Sequence, residues 1–88
     1  MRSAVKRGQI WAAKARRGHR YVRVERVVPE RRGGEVVSAE AIVREVTASG
    51  DVARGRSSLS GIPRSIPFRI ALTICGRVWR LPPGYREV

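Results

Sequence analysis

The stretch that decides the fold is residues 64–75, RSIPFRIALTIC, because large apolar side chains recur in it at every second position. These side chains belong to Ile66, Phe68, Ile70, Leu72 and Ile74. A period of two is typical of a β-strand with one buried face. The residues between them are mostly small or polar, which favours an antiparallel sheet with one solvated face. We therefore predict that the core is built against this strand.

Other short strands are predicted on both sides of this stretch, at residues 8–12, 21–28, 77–81 and 85–88. The alternation of apolar residues slips phase after Val24, which indicates a β-bulge or a bend near Glu25 and Arg26. Pro29 is expected to end that strand. Because proline cannot donate to a ladder, Pro67 predicts that its own strand begins at a sheet edge or at a bulge.

Residues 36–47 fit two patterns. Ala41 and Val43 alternate with larger or charged residues as in a strand, whereas Glu40 and Arg44 have the spacing of a helical ion pair. The β-branched residues of this segment outnumber its good helix formers, so a strand is favoured and a short helix stays open.

The charge of the chain predicts an anionic partner. Nineteen basic residues against seven acidic ones give a net charge of +12 over 88 residues. Residues 1–23 hold eight bases and no acid, residues 24–53 hold four bases and six acids, and residues 54–88 hold seven bases and one acid. If the first and last strands pair, the two basic segments merge into one positive surface.

Nucleic acid is the anionic partner that this pattern favours, bound mainly through phosphate contacts that release condensed counterions. Residues 14–20 are predicted to be a cationic loop. The predicted contacts are Lys14, Arg16, Arg17, Arg20, Arg23, Arg54, Arg56, Arg69, Arg77 and Arg80. Three aromatic residues are predicted to be partly exposed and able to stack unpaired bases, although a structural role stays open for each: Tyr21, Trp79 and Tyr85. No motif for base-specific recognition is present in the sequence.

Catalysis is not predicted. The single cysteine, Cys75, cannot form an internal disulfide, and the single histidine, His19, cannot build a metal cluster with it alone. Cys75 ends an apolar strand and no carboxylate is placed to orient His19, so a nucleophile and base pair is not supported. We expect no cofactor, no metal, no small-molecule substrate and a cytoplasmic location. The sequence contains no run of about 18 apolar residues, so no membrane span is predicted.

Three stretches resemble small uncharacterised proteins of actinobacteria and their phages: KRGQIW at 6–11, RYVRV at 20–24 and GYREV at 84–88. In those proteins a Gly-Gln-Val-Trp opening, an Arg-x-Val-x-Val strand and a Gly-Tyr-Arg ending recur around a short β-meander that resembles an SH3-like barrel. This chain departs from them by its serine-rich insert and by its strand at 77–79. The resemblance implies a fold and a phage or mobile-element origin, and it implies no activity.

The sequence thus predicts an all-β protein, a small SH3-like barrel of five or six short antiparallel strands. Residues 1–88 are expected to form one domain, with a basic N-terminal segment at 1–8 and a flexible loop at 48–62. The predicted core contains Ile10, Trp11, Val22, Val24, Val43, Phe68, Ile70 and Leu72. The predicted function is non-enzymatic binding of nucleic acid. The alternative is a protein-interaction module or phage-encoded modulator that docks on an acidic protein or within a ribonucleoprotein.

Overall fold

The chain is described by a computed structural model over residues 2–15, 18–57 and 61–88. These residues form eight β-strands: β1 (Arg2–Ser3), β2 (Ile10–Ala15), β3 (Gly18–Arg32), β4 (Glu35–Val46), β5 (Phe68–Ala71), β6 (Thr73–Cys75), β7 (Val78–Arg80) and β8 (Tyr85–Glu87). The all-β prediction is therefore confirmed, and β4 confirms the choice of a strand for residues 36–47. In the described part of the chain, no helix is long and apolar enough to cross a membrane.

The strands form two sheets. A five-stranded antiparallel sheet has the order β5-β4-β3-β2-β8, and a three-stranded sheet has the order β1-β7-β6, with β1 parallel to β7. Pairing of β1 with β7 and of β2 with β8 makes the beginning and the end of the chain neighbours, as the charge pattern required. The pairings between described strands leave the two sheets separate, without closing a barrel.

β3 is much longer than predicted, because the phase slip does not interrupt it. The register between β3 and β4 shifts between Val24 and Arg26, which confirms an irregularity at the predicted place. The prediction that Pro29 ends the strand was wrong, since Pro29 is paired with Ala39. At Pro29, β4 is the one described strand that pairs with β3, so the other side of β3 is open there. Proline is tolerated at such an unpaired edge.

A two-residue turn ends the β3–β4 hairpin. Gly33 and Gly34 have φ angles of 57° and 84°, the left-handed conformation that two-residue hairpin turns require. Glycine adopts this conformation without the steric cost that other residues bear.

Residues 64–75 do not form a single strand, because Leu72 separates β5 from β6 and these strands belong to different sheets. The backbone N–H of Leu72 donates to the carbonyl oxygen of Ala39 at 2.9 Å. The expectation that Ile66 and Ile74 face the core was wrong, since they are 47% and 51% exposed. Among the described strands β5 pairs with β4 alone, so it lies at a sheet edge, which is one of the two alternatives that Pro67 predicted.

The core lies between the two sheets and consists of Val5, Trp11, Val22, Val24, Ala39, Ala41, Val43, Ile70, Leu72, Trp79 and Leu81. Of the predicted core residues, Ile10 and Phe68 are only half-buried. Trp11 is completely buried, and its indole Nε1 donates to Gln9 Oε1 at 3.3 Å. Large side chains from both sheets therefore share one small interior.

The connection from β4 to β5 is attached to the sheet by Glu45, whose side chain is 1% exposed. Glu45 Oε1 accepts a hydrogen bond from Ser57 Oγ at 2.6 Å, and Glu45 Oε2 accepts one from Arg64 Nε. Arg64 Nη1 also donates to the carbonyl oxygen of Arg54 at 3.2 Å. A buried carboxylate on the core side of the sheet thus holds two points of this connection, and the flexibility predicted for residues 48–62 stays a prediction.

Candidate functional site

Tyr85 lies where the five-stranded sheet meets the three-stranded one. It belongs to the edge strand β8 and is paired with Ala13 of β2, so the two side chains share a face of the sheet. Ala13 is buried, and the ring of Tyr85 packs half-buried against the core. Residues Pro82 and Gly84 form the preceding corner, where the N–H of Tyr85 donates to the carbonyl oxygen of Pro82 at 3.2 Å.

Two cavities meet at Tyr85, and both are lined by basic side chains. The larger, about 400 Å³, is lined by Lys14, His19 and Arg86 together with Tyr85. The smaller, about 180 Å³, has Arg80 as its one basic lining residue, and Tyr85 and otherwise uncharged residues complete it. We define the Tyr85 site as these five residues.

The strand register explains why the basic residues of the larger cavity converge. Lys14 and His19 are directly opposite each other in the β2–β3 hairpin. Arg86 is opposite Ala12, which shares a strand face with Lys14 because the two are separated by one residue. Arg80 reaches the site from β7 of the other sheet. The site therefore depends on the contact between the two sheets.

The basic side chains of the Tyr85 site are not neutralised by acidic neighbours. Among the described residues, Lys14, His19, Arg80 and Arg86 form no ion pair. The acid next to Arg86 on β8, Glu87, accepts a hydrogen bond from Gln9 Nε2 at 3.0 Å. The register places Tyr85 on the core face with Ala13, and places Lys14 and Arg86 on the opposite face of the sheet. Because Tyr85 also lines both cavities at the sheet edge, the site brings the unpaired positive charge of the described Lys14, Arg80 and Arg86 close to a half-buried aromatic ring, a combination suited to a polyanion with planar groups.

Two of the other predicted contacts are paired with glutamates. Arg23 Nη2 lies 3.5 Å from Glu25 Oε1, and Arg44 Nε lies 3.1 Å from the same oxygen. Arg69 Nη1 lies 3.6 Å from Glu40 Oε2. Arg69 therefore has a glutamate partner on the surface of the sheet, whereas Arg23 shares the single carboxylate of Glu25 with Arg44.

The remaining described arginines of the predicted set lie at different places. Arg54 and Arg56 line a separate open cavity of about 670 Å³ in the β4–β5 connection, and Arg56 Nη1 donates to the carbonyl oxygen of Gly61 at 2.9 Å. Arg77 is exposed in the turn between β6 and β7, and Arg20 is half-buried in β3. The structure thus brings together only part of the predicted set, and Arg16 and Arg17 lie outside the described residues.

Two local predictions for this region were wrong. The described residues of the expected cationic loop 14–20 are strand residues, since Lys14 pairs with His19 and Ala15 pairs with Gly18. Trp79 is 6% exposed and belongs to the core, so it offers no open face for stacking. Tyr21 and Tyr85 are half-buried, as the prediction of partial exposure requires.

His19 and Arg86 were not among the predicted binding residues. His19 stands inside the basic run of residues 14–20, and Arg86 follows Tyr85 in the final strand. The expected pairing of the first and last strands could have shown that Arg86 lies beside β2. Using it required the register, which brings residue 86 opposite residue 12.

The phenol of Tyr85 provides a pH-dependent test of its environment. Burial, with a further contribution from the carboxylate of Glu45, raises the pKa of Tyr85 above its ordinary value of 10.0. The folded state therefore holds this proton more tightly than the unfolded state does, and deprotonation favours unfolding. We expect the contribution of Tyr85 to stability to be complete below about pH 10 and to be lost as the pH rises through the folded-state pKa.

Urea denaturation of the wild type and of Tyr85→Phe, from about pH 8 to about pH 11, measures this effect. The wild type should lose stability more steeply above about pH 10 than the phenylalanine variant, which has no phenol to ionise. Parallel pH profiles for the two proteins would contradict the assignment.

The fold and the site together define a small antiparallel all-β domain with a basic aromatic site at one sheet edge. Comparison of the chain with known protein families, curated proteins and solved structures finds no match. In the described part of the chain, no group of three or more His, Cys, Asp or Glu side chains is arranged to hold a metal ion. The functional inference therefore depends on the Tyr85 site itself.

Proposed function

We propose that this chain is a non-enzymatic nucleic-acid-binding protein. Lys14, Arg80 and Arg86 contact backbone phosphates, and Tyr85 stacks against a base. The observation that carries the proposal is the group of basic side chains in the two cavities that Tyr85 lines, which form no ion pair among the described residues. Phosphate contacts give affinity without sequence preference, and stacking on an aromatic ring adds about 1–3 kcal/mol per base.

The charge of the whole chain supports this assignment. A net charge of +12 attracts a polyanion over distances longer than any single contact. Pairing of β1 with β7 and of β2 with β8 places the two basic segments of the sequence side by side. The Tyr85 site lies at this junction, so long-range attraction and local contacts act on the same region.

The finer fold class and the setting belong to the same proposal. An SH3-like barrel is supported by the direct passage from β5 to β6 at Leu72, which lets two sheets share one core. The resemblance to small proteins of actinobacteria and their phages supports the same fold and a phage or mobile-element origin. An exposed, unpaired Cys75 is compatible with a reducing compartment.

Binding of random single-stranded DNA and RNA at about 50 and about 200 mM salt tests the proposal. The double variant Arg80→Gln/Arg86→Gln removes one charge from each of the two cavities that Tyr85 lines. We expect its affinity to fall at least about tenfold, and the slope of log affinity against log salt to decrease by about 1.5. The matched control Arg26→Gln/Arg32→Gln removes two exposed arginines of β3 and should change the affinity less than about threefold.

The role of Tyr85 is tested in the same assay. Tyr85→Leu should weaken binding of single strands by about tenfold, whereas Tyr85→Phe retains a stacking ring and should bind almost as the wild type does. Equal losses from the two arginine double variants would mean that only net charge matters. Absence of binding to either nucleic acid at the lower salt concentration would overturn the proposal.

A further inference from the structure

A cleft separates the β3–β4 hairpin from the three-stranded sheet. Beyond Val24, β3 has no described neighbour except β4, so residues 27–38 form a two-stranded ribbon. The cleft encloses about 270 Å³, and one wall is formed by Trp79 of β7. Its other lining residues are Ser3, Val27, Pro29, Arg31, Val36 and Ala39. Most of this lining is apolar, and we name it the Trp79 cleft.

Trp79 contributes a polar atom without a partner. Its side chain is 6% exposed, and its indole Nε1 has no hydrogen-bond acceptor among the described residues. A buried donor without an acceptor costs about 1–3 kcal/mol, and such groups are rare in folded proteins. The other tryptophan, Trp11, donates its Nε1 hydrogen to Gln9. Nε1 is itself buried, so an acceptor oxygen brought by a ligand would satisfy Trp79 once the cleft wall moves enough to expose this atom.

Arg31 places a cation among the residues that line the cleft. It is exposed and forms no ion pair among the described residues, whereas the neighbouring Arg32 lies 3.9 Å from Glu30. The cleft therefore combines an apolar cavity, an unpaired hydrogen-bond donor and an unpaired cation. Its volume of about 270 Å³ is below the roughly 300–1,000 Å³ of small-molecule sites, and suits one or two side chains of a larger partner.

We propose that the Trp79 cleft binds an extended acidic segment of a protein partner. An aliphatic side chain of the segment fills the cleft, a backbone carbonyl oxygen accepts from Trp79 Nε1, and a carboxylate pairs with Arg31. The net charge of +12 favours an acidic partner over a second copy of this chain, which carries the same charge. A nucleic acid offers acceptor oxygens but no aliphatic side chain. This cleft and the Tyr85 site share no lining residue, and the proposal does not rest on nucleic-acid binding.

The two indole N–H signals of the protein, resolved by NMR and assigned with Trp79→Phe, test the proposal during titration with the peptide acetyl-Asp-Glu-Leu-Asp-Glu-amide. We expect the signal of Trp79 to move downfield as it gains an acceptor, while that of Trp11 stays in place. Replacing the leucine of the peptide with alanine should weaken binding by about fivefold or more, because less apolar surface is buried.

Arg31→Gln and Arg32→Gln form a matched pair of variants, since both remove one exposed arginine from the end of β3. Arg31→Gln should weaken binding of the leucine peptide about two- to fivefold, and Arg32→Gln should weaken it less than about twofold.

Three results would overturn the proposal. The first is a Trp79 signal that does not move at millimolar peptide, and the second is equal weakening by the two arginine variants, which indicates unspecific charge attraction. The third is evidence that something other than an acidic peptide binds in the Trp79 cleft. Movement of the Trp79 signal on dilution of the protein alone would indicate a second copy, and movement on addition of a short single-stranded DNA or RNA would indicate nucleic acid.

Discussion

Replacement of Trp11 with alanine is expected to lower the free energy of unfolding by about 4 kcal/mol. Trp11 is completely buried, and it packs in a core that is otherwise made largely of valine and alanine. Loss of the indole leaves a cavity that the surrounding side chains fill only in part. Since domains of this size have a free energy of unfolding of only about 5–10 kcal/mol, the variant should be partly unfolded at 37 °C.

Urea denaturation followed by circular dichroism measures this loss, with Trp11→Phe as a milder variant that should lose about half as much. Ile66→Ala is the control, because the alternation in residues 64–75 places Ile66 in the core whereas the structure leaves it 47% exposed. Its loss should stay below about 1 kcal/mol. A loss at Ile66 as large as that at Trp11 would contradict the described packing.

Replacement of Arg64 with methionine is expected to lower the free energy of unfolding by about 3 kcal/mol, because it removes the cation from a buried carboxylate. Glu45 is 1% exposed and has Arg64 as its ion-pair partner. The methionine occupies a similar volume but cannot donate to Glu45. The loss should also release the β4–β5 connection, which amide hydrogen exchange of residues 53–57 would report as faster exchange.

Arg54→Met is the matched control, since Arg54 is an exposed arginine of the same connection, and its effect should be below about 0.5 kcal/mol. The double variant Glu45→Met/Arg64→Met leaves no buried charge and should be more stable than Arg64→Met alone. If the double variant is the less stable of the two, the loss at Arg64 does not come from an uncompensated carboxylate.

Features that depend on consecutive residues were predictable. The period of two is a property of the extended backbone, and the slip after Val24 is visible as two adjacent apolar positions, which the register shift in β3 explains. Pro67 predicted a sheet edge or a bulge for the same local reason. The break at Leu72 was not predictable, because alternation identifies the face of a strand but not the point where it passes into another sheet.

In the Tyr85 site too, the residue types were predictable from the sequence, whereas their arrangement in space was not. Lys14, Arg80 and Tyr85 were predicted from charge and aromatic character alone, without knowledge of their separation in space. Arg86 enters the site only through the register of β8 against β2, and Arg23 leaves the set of unpaired cations because Glu25 lies 3.5 Å from it. A register shift of one residue would have put Arg86 on the other face of the sheet.

The amino-acid sequence by itself determined that this protein is all-β, that its two basic segments flank a more acidic middle, and that its net charge is +12. Only the tertiary structure decided that Glu45 is buried against Arg64. It also decided which cations near Tyr85 have no ion-pair partner, and that the indole of Trp79 has no acceptor, among the residues that the structure describes. The physical reason is the separation along the chain between the residues that interact. Strand formation follows from neighbouring residues, whereas pairing of charges and hydrogen-bonding groups depends on distances of about 3–4 Å between atoms far apart in the chain.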